Sequence, residues 1–123
     1  MEEIRTCYAI QNKKNLKMYI GLTKNLQERI SQHLCLLKRG KHKSQLFQKE
    51  FNESSLENFQ VFILEKNLPW DKAYKIELDY MVKYKTYDEK YGYNTNERIK
   101  IMGHAEKFLK FNIVEGLPKT LLD

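Results

Sequence analysis

Apolar and polar positions change their period several times along the chain, and each change marks an element. Thr-Cys-Tyr-Ala-Ile at 6–10 is a run of strand formers, 11–15 is polar, and 17–20 turns apolar again, which predicts a β-hairpin. Alternate strand residues share a face, so Tyr8 is grouped with Thr6 and Ile10, and ordinary antiparallel pairing sets Tyr19 beside Tyr8. Gly21 is expected to end the second strand, where a side chain would crowd the exit of the chain. Leu26, Ile30, Leu34 and Leu37 then recur at helical spacing. Asn25 is placed to cap that helix, Glu28 completes a capping-box pattern, and Gly40 sits where a left-handed residue ends it. Arg29 and His33, four apart, stack on one flank of the apolar stripe, at the edge of the core.

Beyond the polar stretch 41–43, Ser44 can cap a short helix carrying Leu46, Phe47 and Phe51. Residues 59–65 alternate and are β-branched enough for a third strand, expected at the centre of the sheet. Leu68-Pro69-Trp70-Asp71 opens another helix, whose buried stripe is Ala73, Ile76, Tyr80 and Tyr84. Residues 88–92 form a turn-rich loop, and Tyr93-Asn94 returns to the body of the domain. Further on, Asn96 can cap a helix, Gly103 interrupts the pattern, and 105–111 reads as a short amphipathic helix. The predicted class is α+β: a small, mainly antiparallel three-stranded sheet flanked by α-helices.

At 123 residues the chain fits one domain with a single modest core. It is 41% hydrophobic and 31% charged, and no apolar run approaches the roughly 18 residues of a membrane span. The opening Met-Glu-Glu-Ile-Arg lacks the apolar stretch of a signal peptide. The expectation is an intracellular protein with no membrane partner. Cys7 and Cys35 have no CxxC spacing, so both are expected in the core, with neither a thiolate zinc site nor a disulfide. The net charge is +6, and its distribution adds more than its size. Residues 1–50 hold 11 Lys and Arg against 4 acids, whereas 51–123 hold 11 against 12. An excess confined to the half with the hairpin and first helix suits a polyanion docking on one face, with Lys24, Lys41 and Lys43 as candidate contacts. A lysine-rich composition scattering charge over the surface is the plainer reading of the same count.

Glu77 carries the strongest chemical signal. On a helical wheel it falls among Ala73, Ile76, Tyr80 and Met81, inside the apolar stripe. An ionised carboxylate buried there without compensation would cost several kcal/mol. It must be neutral, paired with a cation such as Arg29, or bound to a metal, for which it is a hard oxygen ligand of the kind Mg²⁺ takes. Arg29 is either a surface helix arginine or a clamp on phosphate oxygens. His33 suits a structural hydrogen bond or a proton-transfer role, His42 is a second candidate, and His104 reads as surface. Tyr8 and Tyr19 are either a cross-strand aromatic pair or a source of phenolate. With a pKa near ~10, the second role needs cations nearby.

Taken in order, these residues resemble the GIY-YIG nuclease family. Thr6-Cys7-Tyr8 stands where the first motif belongs, with Thr and Cys in place of Gly and Ile, and Tyr19-Ile20-Gly21 matches the second in full. Arg29 and His33 match the family's Arg-x-x-x-His, Glu77 its metal-binding glutamate, and Gly92-Tyr93-Asn94 its terminal Gly-Tyr-Asn. His42 sits where phage homing endonucleases of this family often carry a further histidine. The match spans about residues 5–95.

The resemblance implies a nuclease domain over 1–95; the remaining 96–123 is expected to be a helical C-terminal extension packed on the same domain. It implies a DNA endonuclease of phage or mobile-element type that uses one Mg²⁺ or Mn²⁺ on Glu77. Tyr19 or Tyr8 would activate water, and Arg29 would stabilise the pentavalent phosphorus. His33 or His42 would orient or relay, Gly21 would support the site, and Asn94 would hold it together. Partners would be DNA and, for target choice, a specificity-conferring protein or a second copy of the chain. Two other classes compete: a non-catalytic nucleic-acid-binding module that keeps the fold, and a protein-interaction domain with an ion pair at Glu77.

Overall fold

The computed structural model describes residues 4–94. Asn96, Gly103, His104 and the helix expected over 105–111 lie outside the described residues. In chain order the elements are β1 (Ile4–Asn12), β2 (Met18–Thr23), α1 (Leu26–Lys38), α2 (Gln45–Asn52), one 3₁₀ turn (Leu56–Asn58), β3 (Phe59–Pro69) and α3 (Trp70–Tyr84). The strands form one antiparallel sheet in the order β2-β1-β3, so the α+β class holds. The central strand, however, is β1 and not β3. From Cys7 to Asn12 every residue of β1 is buried, whereas β3 is exposed at Gln60, Ile63 and 65–67. Continuous burial marks a strand covered on both faces. Among the described residues no helix is long and apolar enough to cross a membrane.

The pleat of β1 divides the core in two. Cys7 and Ala9, with Met18 and Ile20 of β2, pack against Ala73, Met81 and Tyr84 of α3. Tyr8 and Ile10 point the other way, toward Leu37 of α1, Phe47 of α2 and Tyr93. Phe47 is wholly buried and stacks on Tyr93, rings 4.7 Å apart, which ties the eight-residue α2 to the body. Cys7 is in the core as expected, but Cys35 is exposed. It lies two residues past the buried His33, on the opposite side of α1.

The local signals explain the helix ends. Asn25 Oδ1 accepts from the Glu28 amide at 3.1 Å, and Ser44 Oγ accepts from the Phe47 amide. Gly40, with φ of +70°, lets the Lys41 amide reach back to Leu36 O at 2.8 Å and close α1. After α3, residues 91–94 run along the outer edge of β2. The Tyr93 amide donates to Met18 O at 2.9 Å, and Met18 forms a parallel bridge with Gly92. A Cβ at Gly92 would stand 2.3 Å from Thr86 Cα, so only glycine lets this segment close on the loop behind it.

Candidate active site

The β1–β2 register sets Tyr8 opposite Gly21 and Ile10 opposite Tyr19. The two tyrosines are thus diagonal neighbours and not a direct cross-strand pair. Gly21 does not end β2, which continues to Thr23. Its bare Cα makes room for the phenol of Tyr8, because a Cβ there would lie 2.5 Å from the Tyr8 hydroxyl. On the β3 side the pairing is irregular from Arg5 to Tyr8. A bulge at that point re-aims the residues around it, as bulges beside sites commonly do.

His33 fills the gap between the tyrosines. It is 1% exposed, so it belongs to the core and not to its edge. Its ring meets Tyr19 and Tyr8 edge-on, with centroids 4.9 and 5.7 Å away. Nε2 is 2.6 Å from the Tyr8 oxygen, and Nδ1 is 2.8 Å from Nε2 of His42. His42 is also buried and its ring stacks on His33 at 5.1 Å. Its Nδ1 accepts from the Ser44 amide at 3.0 Å, and its own amide donates to Gln48 Oε1 at 3.0 Å. A continuous chain of hydrogen bonds therefore runs from the start of α2 to Tyr8. Gln48 and Ser44 are members that sequence reasoning did not single out for this purpose. The available signal was a glutamine four residues after a cap, beside the buried Phe47.

Burial, then the Arg29 charge, then His42 push the His33 pKa down to about 3. Burial and Arg29 push His42 down to about 4, so both rings are neutral near pH 7. Burial raises Tyr8 well above the usual phenol range and Tyr19 adds to it, while the charge and hydrogen bond of Arg29 oppose the rise. Arg29 is half-buried, and its Nη1 also donates to Gln32 Oε1 at 3.0 Å. It is the cation that acts on Tyr8, His33 and His42 together.

Glu77 is 2% exposed and shares the buried face of α3 with Ala73, Met81 and Tyr84. Its charge reaches both cores: it raises Tyr8 and, after burial itself, is the main cause holding Cys7 near a pKa of about 12. Among the described residues no three His, Cys, Asp or Glu side chains are grouped to hold a metal ion. Asn94, 1% exposed, grips Ile20 from both sides: Oδ1 accepts from the Ile20 amide at 2.8 Å and Nδ2 donates to its carbonyl at 2.9 Å. It thereby fixes the backbone between Tyr19 and Gly21. Lys24, Lys41 and Lys43 are exposed, the first just before α1 and the others on either side of His42.

A family model described as the GIY-YIG catalytic domain matches residues 5–94. Among solved structures, the catalytic domain of the homing endonuclease I-TevI is similar at 27% identity, covering 72% of this chain and 96% of that one, with a TM-score of 0.65. A mutant of the catalytic domain of the intron endonuclease I-TevI is similar at 27% identity, with 76% and 94% covered and a TM-score of 0.67. No curated protein sequence matches significantly.

Proposed function

The chain belongs to the GIY-YIG catalytic-domain family and is a DNA endonuclease, and from that premise we propose that it hydrolyses DNA by in-line attack of water at the cluster around Tyr8. The observation that carries the reading is the buried Tyr8, 2.6 Å from His33 Nε2, on which the charges of Arg29 and of the buried carboxylate Glu77 both act.

A divalent cation, which GIY-YIG nucleases generally require, suits these residues. Glu77 is a hard oxygen donor in a mostly apolar setting, and Mg²⁺ binds through one or two carboxylates together with substrate phosphate and water. Glu77 would be its protein ligand, so a cluster of three donors is not needed. When bound, such an ion supplies Lewis acidity that offsets charge on the scissile phosphate and the leaving 3′ oxygen.

The protein's own groups do the rest. Arg29 offers its guanidinium to the phosphate, where charge grows in the transition state. Tyr8 or Tyr19 would accept the water proton: Tyr19 is the more exposed of the two, and the Arg29 charge acts on Tyr8 against the rise that burial imposes. Donors to an oxyanion favour the ionised phenol. Tyr19 walls the site against His33 and His42, and Asn94 holds the strand that presents it. Lys24, Lys41 and Lys43 would take the flanking phosphates. The products would carry a 5′ phosphate and a 3′ hydroxyl.

The end groups test the reading. Nicks made in supercoiled plasmid in the presence of Mg²⁺ should be sealed by DNA ligase, and none should form in EDTA. Nicks that ligase cannot seal, or that form equally in EDTA, would overturn it.

A further inference from the structure

We propose that the backbone amide of Ser44 fixes the ring tautomers of His42 and His33, so that His33 donates its Nε2 hydrogen to the Tyr8 oxygen, and that His42 is the positioning residue that maintains this direction.

An amide can only donate. The Ser44 amide, 3.0 Å from His42 Nδ1, therefore requires a lone pair there. A neutral imidazole then carries its hydrogen on Nε2, which faces His33 Nδ1 at 2.8 Å. That nitrogen must accept, so the single hydrogen of His33 sits on Nε2, 2.6 Å from the Tyr8 oxygen. Burial keeps both rings neutral, so neither nitrogen pair can carry two hydrogens. The reverse direction would set an N–H of His42 against the buried Ser44 amide and leave both unsatisfied.

The anchor cannot turn away. Ser44 Oγ donates to Tyr93 O at 2.6 Å and accepts from the Phe47 amide, and its carbonyl accepts from the Gln48 amide at 3.0 Å. Gln48 in turn holds the His42 amide and donates to Leu37 O at 2.9 Å.

The direction matters for Tyr8. With His33 as donor, one lone pair of its phenol oxygen is taken, and its own hydrogen cannot lie along that contact. His33 in this tautomer cannot receive that hydrogen; its role is to donate to the Tyr8 oxygen, which favours the phenolate form that can take the proton of the attacking water. This consequence rests on the nuclease reading, whereas the tautomers do not.

The test is ¹⁵N ring spectroscopy of the full chain at pH 7, with signals assigned through His33→Gln and His104→Asn. Both His33 and His42 should show a pyrrole-like Nε2 and a pyridine-like Nδ1. A pyrrole-like Nδ1 or a charged ring at either residue would overturn the proposal even if the protein nicks DNA normally. A second arm compares His42→Gln, whose amide can still donate to His33 Nδ1, with His42→Phe, which cannot. Gln should keep the His33 tautomer and most of kcat. Phe should mix the tautomers and lower kcat by about ten- to a hundredfold at an unchanged KM, the usual range for loss of an orienting partner. Equal losses in both variants would contradict the role given to His42.

Discussion

Gly21 shows how one absent side chain can shape a site. Gly21→Ala drives a methyl to 2.5 Å from the Tyr8 hydroxyl, and overpacking of this kind costs about 1–3 kcal/mol. Gly40→Ala meets open space and carries only the strain of its left-handed backbone, roughly 1–2 kcal/mol. Urea unfolding should place the two variants close together, while nicking should collapse in Gly21→Ala and survive in Gly40→Ala. Comparable nicking by both would show that the Tyr8 position is not critical. The histidines predict a pH effect. Their folded pKa values, about 3 and about 4, lie below the ordinary 6.5, so the unfolded chain binds more protons as acid is added. Their contribution is present above pH 6.5 and is lost as pH falls toward 4 and then 3. Urea midpoints from pH 7 to pH 4 should fall less steeply for His42→Gln than for wild type. Glu77 was legible in the sequence because helical period put a carboxylate among apolar residues. The burial of His33 was not, since its hydrogen-bond partners come from β1 and from the loop before α2.

At the scale of elements, the sheet edge is the informative feature. β2 would expose unpaired backbone along its outer side, and residues 91–94 cover it. Asn94→Ala removes both side-chain bonds to Ile20, leaving a buried amide and carbonyl at about 1–3 kcal/mol each. Hydrogen exchange at the Ile20 amide should accelerate and nicking should fall with it, because the same backbone carries Tyr19 and Gly21. Unchanged exchange would remove Asn94 from that role. The hairpin turn has its own clasp: Glu50 of α2 accepts from Asn15 at 2.8 Å, Lys17 at 3.1 Å and the Tyr93 hydroxyl at 2.5 Å. Capping signals made α1 and α2 readable because they are local, within four residues of the helix ends. The Glu50 clasp joins residues more than thirty apart and left no local trace. The placement of residues 59–65 at the centre failed for a related reason, since alternation reports one wet face but not which strand has neighbours on both sides.

For the whole molecule, charge and stoichiometry give the expectations. The basic excess lies in the half that forms the hairpin, α1 and α2, and Lys24, Lys41 and Lys43 are exposed there. Replacing all three with Gln should weaken DNA binding and flatten its salt dependence by roughly two to three units of slope, without changing the metal requirement. A site with one carboxylate and one set of tyrosines acts on one strand at a time, so dilute enzyme should accumulate nicked circles before linear DNA. Immediate linearisation would instead indicate paired copies of the chain. The family was legible because its motif residues survive in order along 90 residues, even with Thr6 and Cys7 in the first motif. Cys7 of that motif packs into the core against α3, where the charge of Glu77 acts on it.

Glu77 is proposed to confer metal-dependent cleavage on the folded scaffold. Single-turnover nicking of supercoiled plasmid by wild type and Glu77→Ala, over a range of Mg²⁺ concentrations, tests it most directly, with circular dichroism and urea unfolding to verify that the variant is folded. The wild-type rate should rise with Mg²⁺ and saturate, and a folded Glu77→Ala should bind DNA but nick at least about a thousandfold more slowly, in line with losing several kcal/mol of charge stabilisation. A folded Glu77→Ala that nicks at the wild-type rate with the same Mg²⁺ dependence would contradict it.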